Sequence, residues 1–407
     1  MQPLQNVFSQ KEIKQNRKYW KAVMNLSNTT ILPGQTIGII GGGQLGRMMA
    51  LAAKANGFRI AVLDPAEDSP CGQVADIKII GEYGHLDSIK KLADVSDVVT
   101  YEFENISAEA LEWLCANAHV PQGSEVLEIT QDRTKEKAAI QKAGCVVAPY
   151  AVITTEKDIY DNIEKLGYPA VLKTSRGGYD GKGQVVIKSG QDIKKAAELL
   201  DNGVCVLEKW IAFEKEISVI ICRNISGEKA VFPVGENVHK ENILHQTIVP
   251  AMITADAEER AVKAANRLAE ALSLVGTLAV EMFLTKDGQI YINELAPRPH
   301  NSGHYSIEAC ETSQFEQHIR AVCNWPLGST ELLKPAVMVN ILGEHQEPLI
   351  KKIPELDDWK IHLYGKKDAK YKRKMGHVTL LRNSAEEAIE EAEKSGIWTP
   401  VKEKIGG

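Results

Sequence analysis

The stretch LAVEMFLTKDGQIYINELAPR, residues 278–298, limits what this chain can become more than any other. Two apolar runs flank Asp287-Gly288, a strong short hairpin signal, so the chain reverses here as two antiparallel strands. A two-residue loop at Asp287-Gly288 pairs Lys286 with Gln289 and, further up the ladder, Glu281 with Glu294. Carboxylates directly opposite on a ladder repel. Solvation at a sheet rim would relieve them, but Val280, Met282, Ile292 and Leu295 beside them are apolar and point to partial burial. A cation is the other relief. Paired carboxylates suit Mg²⁺, which commonly takes one or two of them together with phosphate oxygens.

A phosphate-binding partner should then be legible elsewhere. RGGYDGKGQ, residues 176–184, has four glycines in nine positions around Tyr179, Asp180 and Lys182. It departs from the Walker loop, which ends in Gly-Lys-Ser/Thr and opens a helix, because Lys182 is followed by Gly183 and the strand-like GQVVIKS. PAVLKTS upstream also reads as a strand, so the glycines sit at a hairpin tip. Alone, such a tip is an ordinary flexible turn. Beside the paired carboxylates it becomes a lid whose N–H groups, with Lys173 and Lys182, can cover a triphosphate. Between the two hairpins, CVLEKWIAFEKEISV reads as strand, break and strand, carrying Glu208 and Glu216. A backbone hinge there can read an adenine edge while a carboxylate holds ribose hydroxyls.

GGGQLG, residues 41–46, fits G-x-G-x-x-G between a strand and a helix, and Asp64 ends the next strand. That is the dinucleotide fingerprint. The physics admits any phosphate, because glycines let N–H groups approach an anion at a helix N-terminus. NAD and another phosphate ligand stay level on this motif.

The texture along the chain divides it. Residues 36–130 alternate strand and helix as a doubly wound parallel-sheet domain. Residues 131–328 mix short strands, hairpins and helices, with the lid at about 150–208. Residues 329–407 form a small β-rich C-terminal module. Residues 1–35 read as a poorly ordered extension outside the fold, with Met24 the expected natural start. A net charge of −6 argues against a general nucleic-acid or membrane-surface binder. Seven cysteines, none spaced Cys-x-x-Cys, suggest neither a zinc knuckle nor a redox pair and fit a reducing cytoplasm. No apolar run approaches the roughly 20 residues that cross a bilayer.

The order Lys173, RGGYDGKGQ, EKWI with Glu216, Glu281 and INE ending at Glu294 resembles the ATP-grasp superfamily. Within it, GGGQLGRM, YEFENI, GGYDGKGQ, NELAPRPHNSGHY and YGKKDAKYKRKMGH together resemble the N5-carboxyaminoimidazole ribonucleotide synthases of purine biosynthesis, over about residues 36–385. The resemblance implies an ATP-grasp architecture: an N-terminal Rossmann-like domain, a central domain with a mobile lid, and the C-terminal module. It implies a cytoplasmic homodimer that uses ATP, Mg²⁺ (Mn²⁺ as a substitute), bicarbonate and 5-aminoimidazole ribonucleotide, through carboxyphosphate.

Site roles follow from the resemblance alone. Arg133 and Lys173 contact phosphates, and Gly178, Gly181, Lys182, Gly183 and Gln184 belong to the closing lid. Glu208, Lys209, Trp210 and Ile211 take adenine, Glu216 takes ribose, and His239 lies near the nucleotide. Glu281 and Glu294 match the metal ligands, with Asn293 beside them. Many ATP-grasp enzymes carry Asn two residues past the second glutamate, where this chain has Ala296. Gln44, Leu45 and Glu102 match positions that hold the ribose phosphate of the second substrate. Residues 360–374 carry seven Lys/Arg against one Asp, and Lys366 and Arg373 read as a phosphate clamp within that run. Tyr179, Asp180, Arg298, His300, Asn301 and Ser302 face the imidazole, with Tyr179, Asp180, Arg298 and Lys366 as the catalytic set.

Three rivals remain at this stage. A formate-dependent glycinamide ribonucleotide transformylase carries Asp-Thr-Gly where this chain has Asn301-Ser302-Gly303. An NAD-dependent dehydrogenase needs only the GGGQLG unit. A catalytically inert nucleotide sensor sits poorly with intact Lys173, Glu281 and Glu294.

Overall fold

The computed structural model describes residues 29–178 and 182–399. The expectations for Tyr179, Asp180 and Gly181, and for the N-terminal extension up to residue 28, lie outside the described residues.

Strands β1 (Thr36–Ile40), β2 (Arg59–Asp64), β3 (Ile77–Ile80) and β4 (Val98–Tyr101) form a parallel sheet in the order β3-β2-β1-β4. Alternate strand residues feed two cores. Ile37, Ile39, Ile60 and Val62 pack with helix α1 (Gln44–Ala55), whereas Ile40, Ala61, Leu63 and Val99 pack with α2 (Leu86–Val95) and α3 (Ala108–Asn117). A strand covered on both faces reads as a near-continuous apolar run, and TIGII does from Ile37 onward. The expected extension is too long by several residues. Ile31 is buried, its N–H donates to the Cys323 carbonyl, and its carbonyl accepts from the Trp325 indole, because an apolar side chain beside that ring gains by leaving water.

Helices α4 (Glu125–Thr130) and α5 (Arg133–Lys142) lead into the second sheet. Asp132 caps α5 by accepting from the Thr134 and Lys135 N–H groups. Then come β5 (Tyr150–Ile153), α6 (Glu156–Leu166), β6 (Ala170–Thr174), β7 (Gln184–Ile187), α7 (Ile193–Ala197) and β8 (Cys205–Lys209). The four strands form an antiparallel sheet, β5-β8-β6-β7, over a small core of its own. PAVLKTS and GQVVIKS pair as a hairpin, Lys173 opposite Gln184, with the glycines at its tip.

The largest sheet is built from β9 (Phe213–Arg223), β10 (Lys229–Val231), β11 (Gly235–Lys240), β12 (Ile243–Val249), β13 (Gly276–Thr285) and β14 (Ile290–Ala296). Helix α8 (Ala255–Ala271) covers one face through Leu268 and through Ala257, Ala261 and Ala265, small residues that let helix and sheet approach closely. The short helix α9 (Ser306–Ala309) precedes α10 (Gln314–Val322), whose Phe315, Ile319 and Val322 pack against α1. The C-terminal module, β15 (Ala336–Leu342), α11 (Gly343–Lys352), β16 (Lys360–Leu363), β17 (Lys374–Leu381) and α12 (Ala385–Lys394), has no separate sheet among the described residues. Its strand β15 pairs with β12, so the central sheet continues as β14-β13-β9-β11-β12-β15-β17-β16.

Candidate active site

The facing carboxylates arise differently from expectation. Between β13 and β14 the Thr285 N–H donates to the Gln289 carbonyl, so the turn encloses three residues, Lys286–Gly288, with Gly288 at φ +79°. Lys286 does not pair with Gln289. The one-residue offset would separate the two glutamates, but Asn293 bulges out of β14, and beyond it Glu281 lies opposite Glu294. Burial first, then the Glu294 charge, pushes the Glu281 carboxyl up to about 7. His300 Nε2 stands 3.4 Å from Glu281 Oε1. Beneath the bulge, buried Glu136 accepts from the Leu295 N–H at 2.7 Å, and burial with the Glu294 charge pushes it up to about 8. No group of three or more His, Cys, Asp or Glu side chains poised for a metal occurs among the described residues. These crowded hard-oxygen donors fit a cation that takes its other ligands from phosphate and water.

The residues expected to meet a nucleotide are carried by the two antiparallel sheets. Lys173 Nζ and Lys137 Nζ each stand 3.1 Å from an oxygen of buried Glu208. Burial raises the Glu208 carboxyl, but the two ammonium groups outweigh it and hold it below its ordinary value. Its carboxylate is therefore engaged by the two lysines. Trp210 is exposed and Ile211 buried just beyond β8, and the Lys209 and Trp210 N–H groups donate to the Pro149 and Pro169 carbonyls. Glu216 Oε2 pairs with His239 Nδ1 at 2.9 Å. Burial would lower that imidazole, but the Glu216 hydrogen bond and charge raise it overall. Arg133 Nη1 donates to the Thr174 and Gly177 carbonyls, tying α5 to the root of the glycine loop. Two of those glycines are dictated by space. A Cβ on Gly178, at φ +82°, would lie 2.6 Å from the Lys182 carbonyl oxygen, and one on Gly183, at φ +71°, 2.8 Å from Thr174 Oγ1.

On the first sheet, Glu102 reaches back to the N-terminus of α1, accepting from the Gly43 N–H and, at 2.6 Å, from the Gly46 N–H. Burial outweighs those two bonds and raises its carboxyl. The anion seat that NAD would need is thus filled by the chain's own carboxylate. Asp64, which would take a dinucleotide ribose, is buried and accepts from the Gly42 N–H at 2.7 Å and the Tyr83 hydroxyl at 2.6 Å. Together these remove the dehydrogenase reading. The Leu45 side chain belongs to the α1 core and offers a ligand only backbone, while Gln44 is part-exposed at the helix start.

Segment 298–302 joins the two halves. Arg298 Nε pairs with Glu104 Oε1 at 2.8 Å. His300 Nδ1 lies 3.0 Å from Ser302 Oγ, and burial, then the Arg298 and Lys374 charges, holds the ring well below its usual range. Asn301 is buried with neither amide atom hydrogen-bonded, and Ser302 Oγ accepts from Ser218 at 2.9 Å. Across from Glu102, Lys366 Nζ donates to the Lys374 carbonyl, and burial with the Arg373 charge lowers it to about 8. Arg373 is exposed and its Nη1 donates to the Asp368 carbonyl at 3.0 Å. Gln73 ties this loop to the first sheet through the Gly365 carbonyl at 2.9 Å.

Sequence reasoning missed Lys137, Glu136 and Glu104. Lys137 was visible, one turn beyond Arg133 on the same helix face. Glu136 and Glu104 gave no signal, since their partners lie far off in sequence.

Residues 34–131 match the ribonucleotide synthetase preATP-grasp domain, 138–315 the ATP-grasp domain, and 336–391 the phosphoribosylaminoimidazole carboxylase C-terminal domain. The chain is 55% identical over 367 residues to the N5-carboxyaminoimidazole ribonucleotide synthase of Bacillus subtilis, covering 90% of this chain and 96% of that one. A crystal structure of an N5-carboxyaminoimidazole ribonucleotide synthetase with ADP superimposes with a TM-score of 0.89 at 59% identity, covering 91% of this chain and 98% of that chain. The Aspergillus clavatus synthase, solved with ADP and 5-aminoimidazole ribonucleotide, gives a TM-score of 0.84 at 30% identity, covering 90% and 98%.

Proposed function

This chain belongs to the N5-carboxyaminoimidazole ribonucleotide synthase family, and on that premise we propose how its own residues divide the work. It is an ATP-dependent carbon–nitrogen ligase of purine biosynthesis, acting on 5-aminoimidazole ribonucleotide. Bicarbonate is the carbon source. One of its oxygens attacks the γ-phosphoryl group, carboxyphosphate breaks to CO₂ and phosphate, and the exocyclic amine takes up the CO₂ with loss of a proton.

Lys173 and Arg133 neutralise the ATP phosphates under the glycine loop, whose tip carries Tyr179 and Asp180. The backbone after Glu208 receives adenine, and Glu216, oriented by His239, accepts from the ribose. Glu281 and Glu294 would hold Mg²⁺, with Mn²⁺ able to substitute, and Ala296 supplies no third side-chain ligand. When bound, the ion supplies positive charge against the transferring phosphoryl group.

Glu102 keeps lone pairs beyond the two it lends to Gly43 and Gly46, enough to accept ribose hydroxyls of the ribonucleotide. Lys366 and Arg373 clamp its 5′-phosphate, and Glu104 holds Arg298 toward the imidazole. His300, neutral in its buried seat, and the unsatisfied Asn301 amide line the place where CO₂ meets the amine. Water exclusion matters there, since carboxyphosphate hydrolyses readily. We further propose a homodimer in the cytoplasm. No helix among the described residues is long and apolar enough to cross a membrane.

The observation that carries this reading is the Glu281–Glu294 pair set by the Asn293 bulge, on the strand that runs directly into Arg298–Ser302. An ADP-release assay tests it. Release should require both bicarbonate and 5-aminoimidazole ribonucleotide, and replacing them by formate and glycinamide ribonucleotide should abolish it. Turnover on the second pair instead would overturn the assignment.

A further inference from the structure

Glu208 is a single buried carboxylate facing two ammonium groups, Lys173 at 3.1 Å on one oxygen and Lys137 at 3.1 Å on the other. The two lysines differ in access. The Lys173 side chain is 17% exposed and borders the nucleotide side, whereas that of Lys137 is 2% exposed, with its ammonium 5.7 Å from the centre of the Tyr150 ring. Lys137 reaches into the lid sheet from α5, outside it, and lies one turn beyond Arg133.

A one-to-one pair between Lys173 and Glu208 would spend the Lys173 charge on the protein, in a place too dry for water to compete. The second ammonium changes that balance. With Lys137 present, Glu208 is satisfied even when Lys173 turns away, and the trio keeps a surplus positive charge. We propose that Lys137 is a positioning residue for the nucleotide, neutralising Glu208 so that the Lys173 ammonium stays available to the phosphates of ATP. A fully buried lysine is costly to fold, and packing alone would be better served by an apolar side chain. This inference rests on the ATP reading above.

The test measures binding of a non-hydrolysable ATP analogue with Mg²⁺ by calorimetry, the KM for each substrate, and melting temperature. The proteins are wild type, Lys137→Met, Lys137→Arg, Glu208→Gln and the Lys137→Met/Glu208→Gln double variant. Lys137→Met should weaken the analogue about tenfold and leave the ribonucleotide KM unchanged, a loss of the size expected for one poorly screened charge. Lys137→Arg should stay within about threefold of wild type. Removing Glu208 as well should restore most of the loss, because no carboxylate then competes for Lys173. If Lys137→Met does not fold, the comparison is between Glu208→Gln and the double variant, which should bind within about threefold of each other. A double variant as weak as Lys137→Met, a tenfold gap from Glu208→Gln, or a parallel rise in both KM values would reduce Lys137 to a structural cation. A wild-type protein that does not bind the analogue would overturn the ATP reading, and this inference with it.

Discussion

Replacing Glu281 by glutamine should stabilise the metal-free protein at pH 8 while abolishing its turnover. A carboxyl that ionises near 7 rather than at 4.5 makes the charged native site expensive. The sign is fixed by linkage. The native state holds the proton more tightly than the unfolded chain, so stability is fullest below about pH 4.5 and is lost as pH rises through 7. At pH 8 the accumulated cost is on the order of 3 kcal/mol, and at pH 5 it is under about 1 kcal/mol. Glutamine keeps the shape, forfeits only the long His300 contact and never charges. Thermal unfolding in chelator should therefore show Glu281→Gln melting higher than wild type at pH 8, by roughly 6 °C at the few degrees per kcal/mol usual for domains of this size. The gap should nearly close at pH 5. Added Mg²⁺ should raise the wild type and not the variant. A variant that melts lower than wild type at pH 8, or a gap independent of pH, would refute the claim that these two carboxylates crowd each other.

Gly178→Ala should cost about 1–2 kcal/mol of backbone strain locally and a large share of kcat, with ADP binding reporting loop closure. An unchanged kcat would mean that the loop root does not control closure. The KM for the ribonucleotide should rise above about pH 8, as Lys366 loses its charge, and Lys366→Arg should flatten that rise. Arg373→Ala should raise the ribonucleotide KM far more than the ATP KM, as loss of a contact made equally in ground and transition states does. The reverse ranking would move the basic loop to the other site.

Much of the fold was legible because it is local. Strand–glycine–helix units and the hairpin around Gly177–Gly183 announce themselves within a few residues. The β12–β15 pairing was not, because Val249 meets Ala336 only after helix α8, the β13–β14 hairpin and the whole 298–322 segment have intervened. The hairpin at Asp287-Gly288 is instructive. Its loop is one residue longer than the dipeptide suggested, and the Asn293 bulge cancels the slip, so the right carboxylate pair followed from the wrong register. A bulge leaves little mark in sequence, since it answers to packing on the neighbouring strands. The polar site groups were likewise named as residue types, but who already holds them was not readable. Glu208 is held by two lysines and Glu102 by the helix start, both across long stretches of chain.

The most direct test of the chemistry follows oxygen. With bicarbonate labelled in all three oxygens, and turnover quenched before exchange with water, attack on the γ-phosphoryl group carries one labelled oxygen into each phosphate released. One label per phosphate is expected, in step with ADP and with carboxylated ribonucleotide. Phosphate that emerges unlabelled while product forms would contradict it.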